Sequence, residues 1–198
     1  MNILITGVHG FVGSNLVKYL AKENTIYGLD IVQPQKDGVM CTFSWDALDV
    51  ENGLPEIDAI IHLAGMAHDT RNKSAADVYF KVNTGLTQKI FDWYMASPTA
   101  KKFVFFSTVK SAADRVKGEF LTEECVPTPV GPYGESKIKA EDYIIKKFAP
   151  KALKRPFHNF DDSDSIVSDK QVYIIRPCMI HGPGNKGNLN MLYGVVKK

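Results

Sequence analysis

Three cysteines in 198 residues, at 41, 125 and 178, are too few and too far apart for a disulfide framework, and none stands in a CxxC pair. They read as reduced thiols in a cytoplasmic protein. No His pairs with a Cys or Asp at ligand spacing, so no metal is expected. Charge of one sign is equally scarce. The 24 Lys and Arg against 22 Asp and Glu leave a net +2, and the Lys pairs at 101–102, 146–147 and 197–198 are scattered, which speaks against nucleic acid as a partner. No apolar run comes near the ~20 residues that cross a bilayer, so no membrane partner is expected either. An apolar run begins within two residues of Met1, leaving no room for a signal peptide. What remains is an ordinary globular composition, 44% hydrophobic and 23% charged, in a chain long enough for one good core.

Short apolar runs at 2–6, 25–30, 58–64, 102–107 and 171–176 alternate with helical patterns at 11–22, 76–95 and 134–148. The run DAIIHLA at 58–64 suits a strand buried on both faces. Strands alternating with helices predict an α/β fold, a Rossmann-like doubly wound parallel sheet with helices on both faces. Residues 150–170 break the rhythm with Asp161, Asp162, Asp164 and Asp169 among Ser, Pro and Asn. They are expected to form a surface insertion within a cofactor domain spanning 1–180.

Two motifs carry chemistry. Gly7, Gly10 and Gly13, flanked by His9, Phe11 and Val12, follow the first strand and open the first helix. Such glycines let backbone approach a pyrophosphate, and the helix N-terminus offers free N–H groups to it. Asp30 closes the second strand, where a carboxylate accepts from an adenosine ribose and repels a 2′-phosphate; this favours NAD over NADP. Farther on, Tyr133 and Lys137 lie four apart on a helix, so they share a face, where an ammonium can stabilise a phenolate and bring the Tyr proton nearer neutrality. Together these predict hydride chemistry on an alcohol or ketone. His62, at the end of an apolar strand, reads as a hydrogen-bonded structural histidine. His9 and His68 are expected near the cofactor or substrate mouth, and His181 beside the substrate.

With TGVHGFVG, Asp30, HLAG at 62–65, Asn83 in VNTGLT, FFST at 105–108, YGESK and RPCMIHGPG at 176–184, the chain resembles the extended short-chain dehydrogenase/reductases. Within these it is similar to the NAD-dependent epimerase/dehydratase group acting on nucleotide sugars. The resemblance implies that Asp49 and Val50 lie beside the adenine. It places Leu63, Ala64, Gly65 and Asn83 along the dinucleotide and Pro177 against the nicotinamide. Thr108 would hold the reacting sugar oxygen, with Ser107 as its alternative, while Tyr133 moves the proton and Lys137 also grips the nicotinamide ribose.

In the resembling 4,6-dehydratases an Asp-Glu pair follows the catalytic Thr; here Val109 and Lys110 stand there, which disfavours dehydration. The reading that follows is 4-epimerisation of a nucleotide sugar through a 4-keto intermediate. A 4-ketoreductase is the first alternative and a non-catalytic dinucleotide sensor the second. Members of the group continue well past the point matching Lys198. Residues 181–198 are therefore expected to begin a substrate lobe that is largely absent, with Asn185, Asn188 and Asn190 offering amides to the nucleotide diphosphate. An apolar face left open by that lobe would favour a homodimer.

Overall fold

The computed structural model describes residues 1–67, 75–116, 118–148, 169–182, 185 and 196. Six parallel strands, β1 (Asn2–Thr6), β2 (Thr25–Leu29), β3 (Cys41–Phe43), β4 (Ala59–His62), β5 (Lys102–Phe106) and β6 (Gln171–Ile175), form one sheet. Their order is β3-β2-β1-β4-β5-β6. The order reverses between β1 and β4, and in such sheets the ligand crevice opens at the carboxyl ends of the strands flanking that reversal.

Alternation along β1 explains why both faces are covered. Ile3 and Ile5 join Val8, Val17 and Ile26 beneath helix α1 (Phe11–Leu20). Leu4 faces the other way, into a cluster with Ile60, Phe91, Tyr94, Phe103, Phe105 and Ile144. Helices α3 (Leu86–Ala96) and α4 (Gly131–Phe148) supply the helical part of that cluster. Each fully buried side chain of this size contributes roughly 1.5–3 kcal/mol relative to exposure.

The expected continuous helix over 76–95 is instead α2 (Ala76–Tyr79), a π-helical segment Phe80–Gly85, and then α3. The widened turn carries Asn83, fully buried, whose amide serves a loop and a neighbouring helix. A π-bulge of this kind re-aims a side chain that a regular α-turn would leave elsewhere. Strand β3 was not anticipated; at three residues it has too little alternation to signal itself. Helix α4 starts at Gly131, earlier than expected, with Pro132 in its first turn, where a missing N–H costs nothing. Of the expected insertion at 150–170, residues 150–168 lie outside the described residues, as do His68, Asn188 and Asn190.

Candidate active site

The carboxyl end of β1 runs into a tight turn in which the Gly10 N–H donates to the Gly7 carbonyl at 2.9 Å. A Cβ on Gly13 would stand 2.5 Å from the Gly7 oxygen and 2.8 Å from Val8 Cα, so only glycine lets α1 begin this close to the strand. Phe11 and Val12 form its first turn. Asp30 follows β2; its Oδ2 accepts from the His9 N–H at 3.1 Å and its Oδ1 from the Ile31 N–H at 2.8 Å. One donor per oxygen leaves acceptor sites for a ribose diol. His9 turns its ring to Thr42, at 3.1 Å. The turn, the helix N-terminus and the carboxylate fit an adenine dinucleotide.

The second wall is built on a buried polar column that sequence reading did not foresee. Thr6 Oγ1 lies 2.6 Å from His62 Nδ1 and accepts from the Leu63 and Ala64 N–H groups at 3.1 and 3.0 Å. His62 Nε2 lies 2.8 Å from Thr87 Oγ1, whose hydroxyl donates to the Asn83 carbonyl at 2.6 Å. Asn83 then fixes Met66, accepting from its N–H at 2.7 Å and donating to its carbonyl at 3.2 Å, and donates to Ser136 Oγ at 2.9 Å. Burial keeps the His62 ring well below its usual range, and the Lys137 charge adds to that. His62 is therefore structural, as expected. Thr6 thus holds Leu63 and Ala64, and Asn83 holds Met66, the residue after Gly65.

At the end of β5, the Thr108 side chain lies beside the Tyr133 phenol. Gly134 permits this approach: a Cβ there would collide with the Lys110 carbonyl. Lys137, only 4% exposed, donates to the Phe106 carbonyl at 2.6 Å and sits 4.2 Å over the Phe105 ring. Desolvation pushes Lys137 down to about 7, opposed by the Glu141 charge. Tyr133 departs from expectation: burial raises it above its usual 10, countered by the neighbouring Thr108 side chain. In this conformation Lys137 is engaged with a carbonyl, and burial dominates the phenol.

Ser107, the alternative to Thr108, donates instead to the buried Glu141 carboxylate. That choice of register was not legible in sequence, since the two hydroxyls are adjacent. Arg176 completes the cluster with Nη2 2.5 Å from Glu141 Oε2. A periodic clue existed: Lys137, Ala140, Glu141 and Ile144 share the buried stripe of α4, and charges at core-facing positions demand partners.

The remaining expected residues lie more peripherally. Asp49 pairs with Lys89 at 2.7 Å, and Val50 is exposed. The Pro177 carbonyl accepts from the Val109 N–H at 3.1 Å, holding the segment after β6 against β5. Asn185 donates its amide to the Ile180 carbonyl at 2.8 Å, and the His181 ring lies 3.4 Å from the Met179 carbonyl. Lys110, in the position that bears on dehydration, pairs with Asp114 at 2.5 Å on the surface. Among the described residues no cluster of His, Cys, Asp and Glu could hold a metal, and no helix is long and apolar enough to cross a membrane.

The chain is 31% identical to a UDP-glucose 4-epimerase of Vibrio cholerae over all of its own length and 57% of that protein's. It is 25% identical to a GDP-6-deoxy-D-mannose reductase of Pseudomonas aeruginosa, covering 93% of this chain and 54% of the other. The chain thus spans little more than half the length of these relatives. In fold it is similar to a UDP-glucuronic acid 4-epimerase from Bacillus cereus solved with NAD, with a TM-score of 0.69 and 22% identity over 93% of this chain and 59% of that one. Residues 3–160 match the model of the NAD dependent epimerase/dehydratase family, and the chain belongs to that family.

Proposed function

We propose that the chain carries the NAD site and the proton-transfer residues of a nucleotide-sugar 4-epimerase. The observation that carries this reading is the meeting of Thr108, Tyr133 and Lys137 at the carboxyl end of β5: the Thr108 side chain lies beside the Tyr133 phenol, and Lys137, one turn along α4, is buried with its ammonium on the Phe106 carbonyl. Gly7, Gly10, Phe11, Val12 and Gly13 would take the pyrophosphate, Asp30 the adenosine ribose, and Asp49 and Val50 the adenine. Leu63, Ala64, Gly65, Asn83 and Pro177 would hold the nicotinamide half, together with Tyr133 and Lys137.

Bound NAD would supply a place for the C4 hydrogen to go and return from. The protein's own residues handle the proton. Thr108 holds the C4 hydroxyl, Tyr133 takes its proton as the ketone forms, and the same Tyr returns it after the ketone has turned over. Lys137 must swing toward Tyr133 and the ribose for its charge to lower the phenol, so bound cofactor and active proton transfer go together. Asn185 and Asn188 would contact the nucleotide diphosphate. A cytoplasmic homodimer belongs to the same reading.

A 4-ketoreductase is the second reading, favoured by the Pseudomonas relative. UDP-glucose deuterated at C4 separates the two. Conversion to UDP-galactose with deuterium kept at C4 supports the epimerase. Stoichiometric NADH consumption by a 4-keto sugar, without epimerisation, supports the reductase and sinks the first reading.

A further inference from the structure

We propose that Glu141 is the positioning residue of the Thr108–Tyr133–Lys137 site, one buried carboxylate that clamps the end of β5, helix α4 and the end of β6 together and supplies the negative charge facing Lys137. The proposal rests on the reading of that site given above.

Glu141 is 1% exposed and lies one helical turn beyond Lys137. Three other segments converge on it. From the end of β5, the Ser107 hydroxyl donates to Oε1, one residue before Thr108. From the turn Val109–Ser111, the Ser111 hydroxyl donates to the same oxygen at 2.6 Å, sharing its proton with the Thr108 carbonyl at 2.7 Å. From the end of β6, Arg176 Nε approaches Oε1 at 3.2 Å and Oε2 at 3.0 Å, and Nη2 reaches Oε2 at 2.5 Å. Arg176 precedes Pro177, whose carbonyl takes the Val109 N–H at 3.1 Å. Every segment that bears Thr108, Tyr133, Lys137 or Pro177 is thus tied to one carboxylate.

A wholly structural clamp would not need a full charge, because burying one is costly even when it is paired. The groups facing Lys137 show what the charge is for. The neutral ring of His62 comes from β4, the carbonyl of Phe106 and the ring of Phe105 from β5, and Tyr133 and Glu141 from α4 itself. Glu141 alone of these is a carboxylate, and it acts to keep the buried ammonium protonated. The Arg176 cation, paired with the same carboxylate, should offset part of that field. Side-chain substitutions in this cluster should therefore shift the Lys137 titration in opposite directions according to the sign removed.

The test is the full chain with 15N-labelled lysine, read by NMR without cofactor or substrate, the Lys137 signal being identified by its loss in Lys137→Met. The wild-type midpoint is expected near 7. Glu141→Gln should lower it by about one pH unit, the scale of a lost neighbouring charge, and weaken NAD binding several-fold. Glu141→Asp, which keeps the charge, should restore most of the midpoint. Arg176→Gln should raise it, and decides the matter if Glu141→Gln does not fold. A Glu141→Gln protein that loses thermal stability but keeps both the Lys137 midpoint and the NAD affinity overturns the proposal. So does an unmoved midpoint in Arg176→Gln. Failure of the wild-type chain to bind NAD would instead refute the function proposed above, leaving the titration to judge Glu141.

Discussion

Thr6 Oγ1 and His62 Nδ1 approach to 2.6 Å in the interior of the sheet, and the bonds around them fix where every proton lies. Thr87 gives its proton to the Asn83 carbonyl, so His62 Nε2 must donate to Thr87. Thr6 accepts two backbone N–H groups, and its own proton goes to Nδ1. A second proton on the ring would strand the Thr6 hydroxyl without an acceptor. His62 should therefore be the neutral Nε2–H tautomer at neutral pH, which 15N chemical shifts of the imidazole will show. Its folded pKa is depressed, so the unfolded chain binds the extra proton as pH falls below the usual 6.5. Stability should fall there, at a limiting slope of about 1.4 kcal/mol per pH unit for one proton. Urea unfolding of His62→Gln should lack this component, and an identical acid limb in both proteins would contradict the assignment.

Much of the sheet was legible because its strands are apolar runs and its helices keep one periodic face. Asp30, the glycine turn and the Tyr133/Lys137 pair announce themselves through residue type and spacing. The buried polar column did not, because Thr6, His62, Thr87 and Asn83 come from three separated segments and meet only after the sheet forms. Glu141 was hidden for the same reason: its partners Ser107, Ser111 and Arg176 arrive from other strands and turns. The π-helical segment at Phe80–Gly85 follows from tertiary bonds to Met66 and Ser136, which no helix propensity encodes.

Asp30 sets the expected cofactor preference. Its two oxygens are already oriented by the His9 and Ile31 N–H groups, so the carboxylate is pre-aimed. A ribose diol can donate to it, whereas a 2′-phosphate meets like charge. NAD should bind more tightly than NADP, and Asp30→Ala should narrow the gap mainly by weakening NAD. Calorimetric titration of both cofactors checks this; equal affinities in the wild type would refute it.

Lys137 should give the stability curve an alkaline rise. Its folded pKa is about 7 against the usual 10.5, so between these values the unfolded state holds a proton that the folded state has released. Stability from this group therefore increases as pH climbs through 7 toward 10.5, with a slope of at most about 1.4 kcal/mol per unit. Lys137→Met lacks the titrating group. The stability of the wild type relative to Lys137→Met should accordingly improve from pH 6 to 9, and a constant difference would mean that the ammonium is not desolvated.

Gly134 and Tyr133 make the last expectation specific to geometry. Tyr133→Phe removes the phenolic oxygen beside Thr108 while keeping the ring. This change should cost turnover a factor of ~10²–10⁴, the usual size of a general acid/base contribution, with NAD affinity largely kept. Gly134→Ala should act differently. Its methyl meets the Lys110 carbonyl, so α4 must move away from the turn Val109–Ser111 and carry Tyr133 from Thr108. Both stability and turnover should fall, although neither proton-transfer residue has changed. Fluorescence-monitored unfolding alongside the activity assay separates the two variants. A Gly134→Ala protein as stable and as active as wild type would show that the close approach of α4 to Lys110 is not what holds Tyr133 beside Thr108.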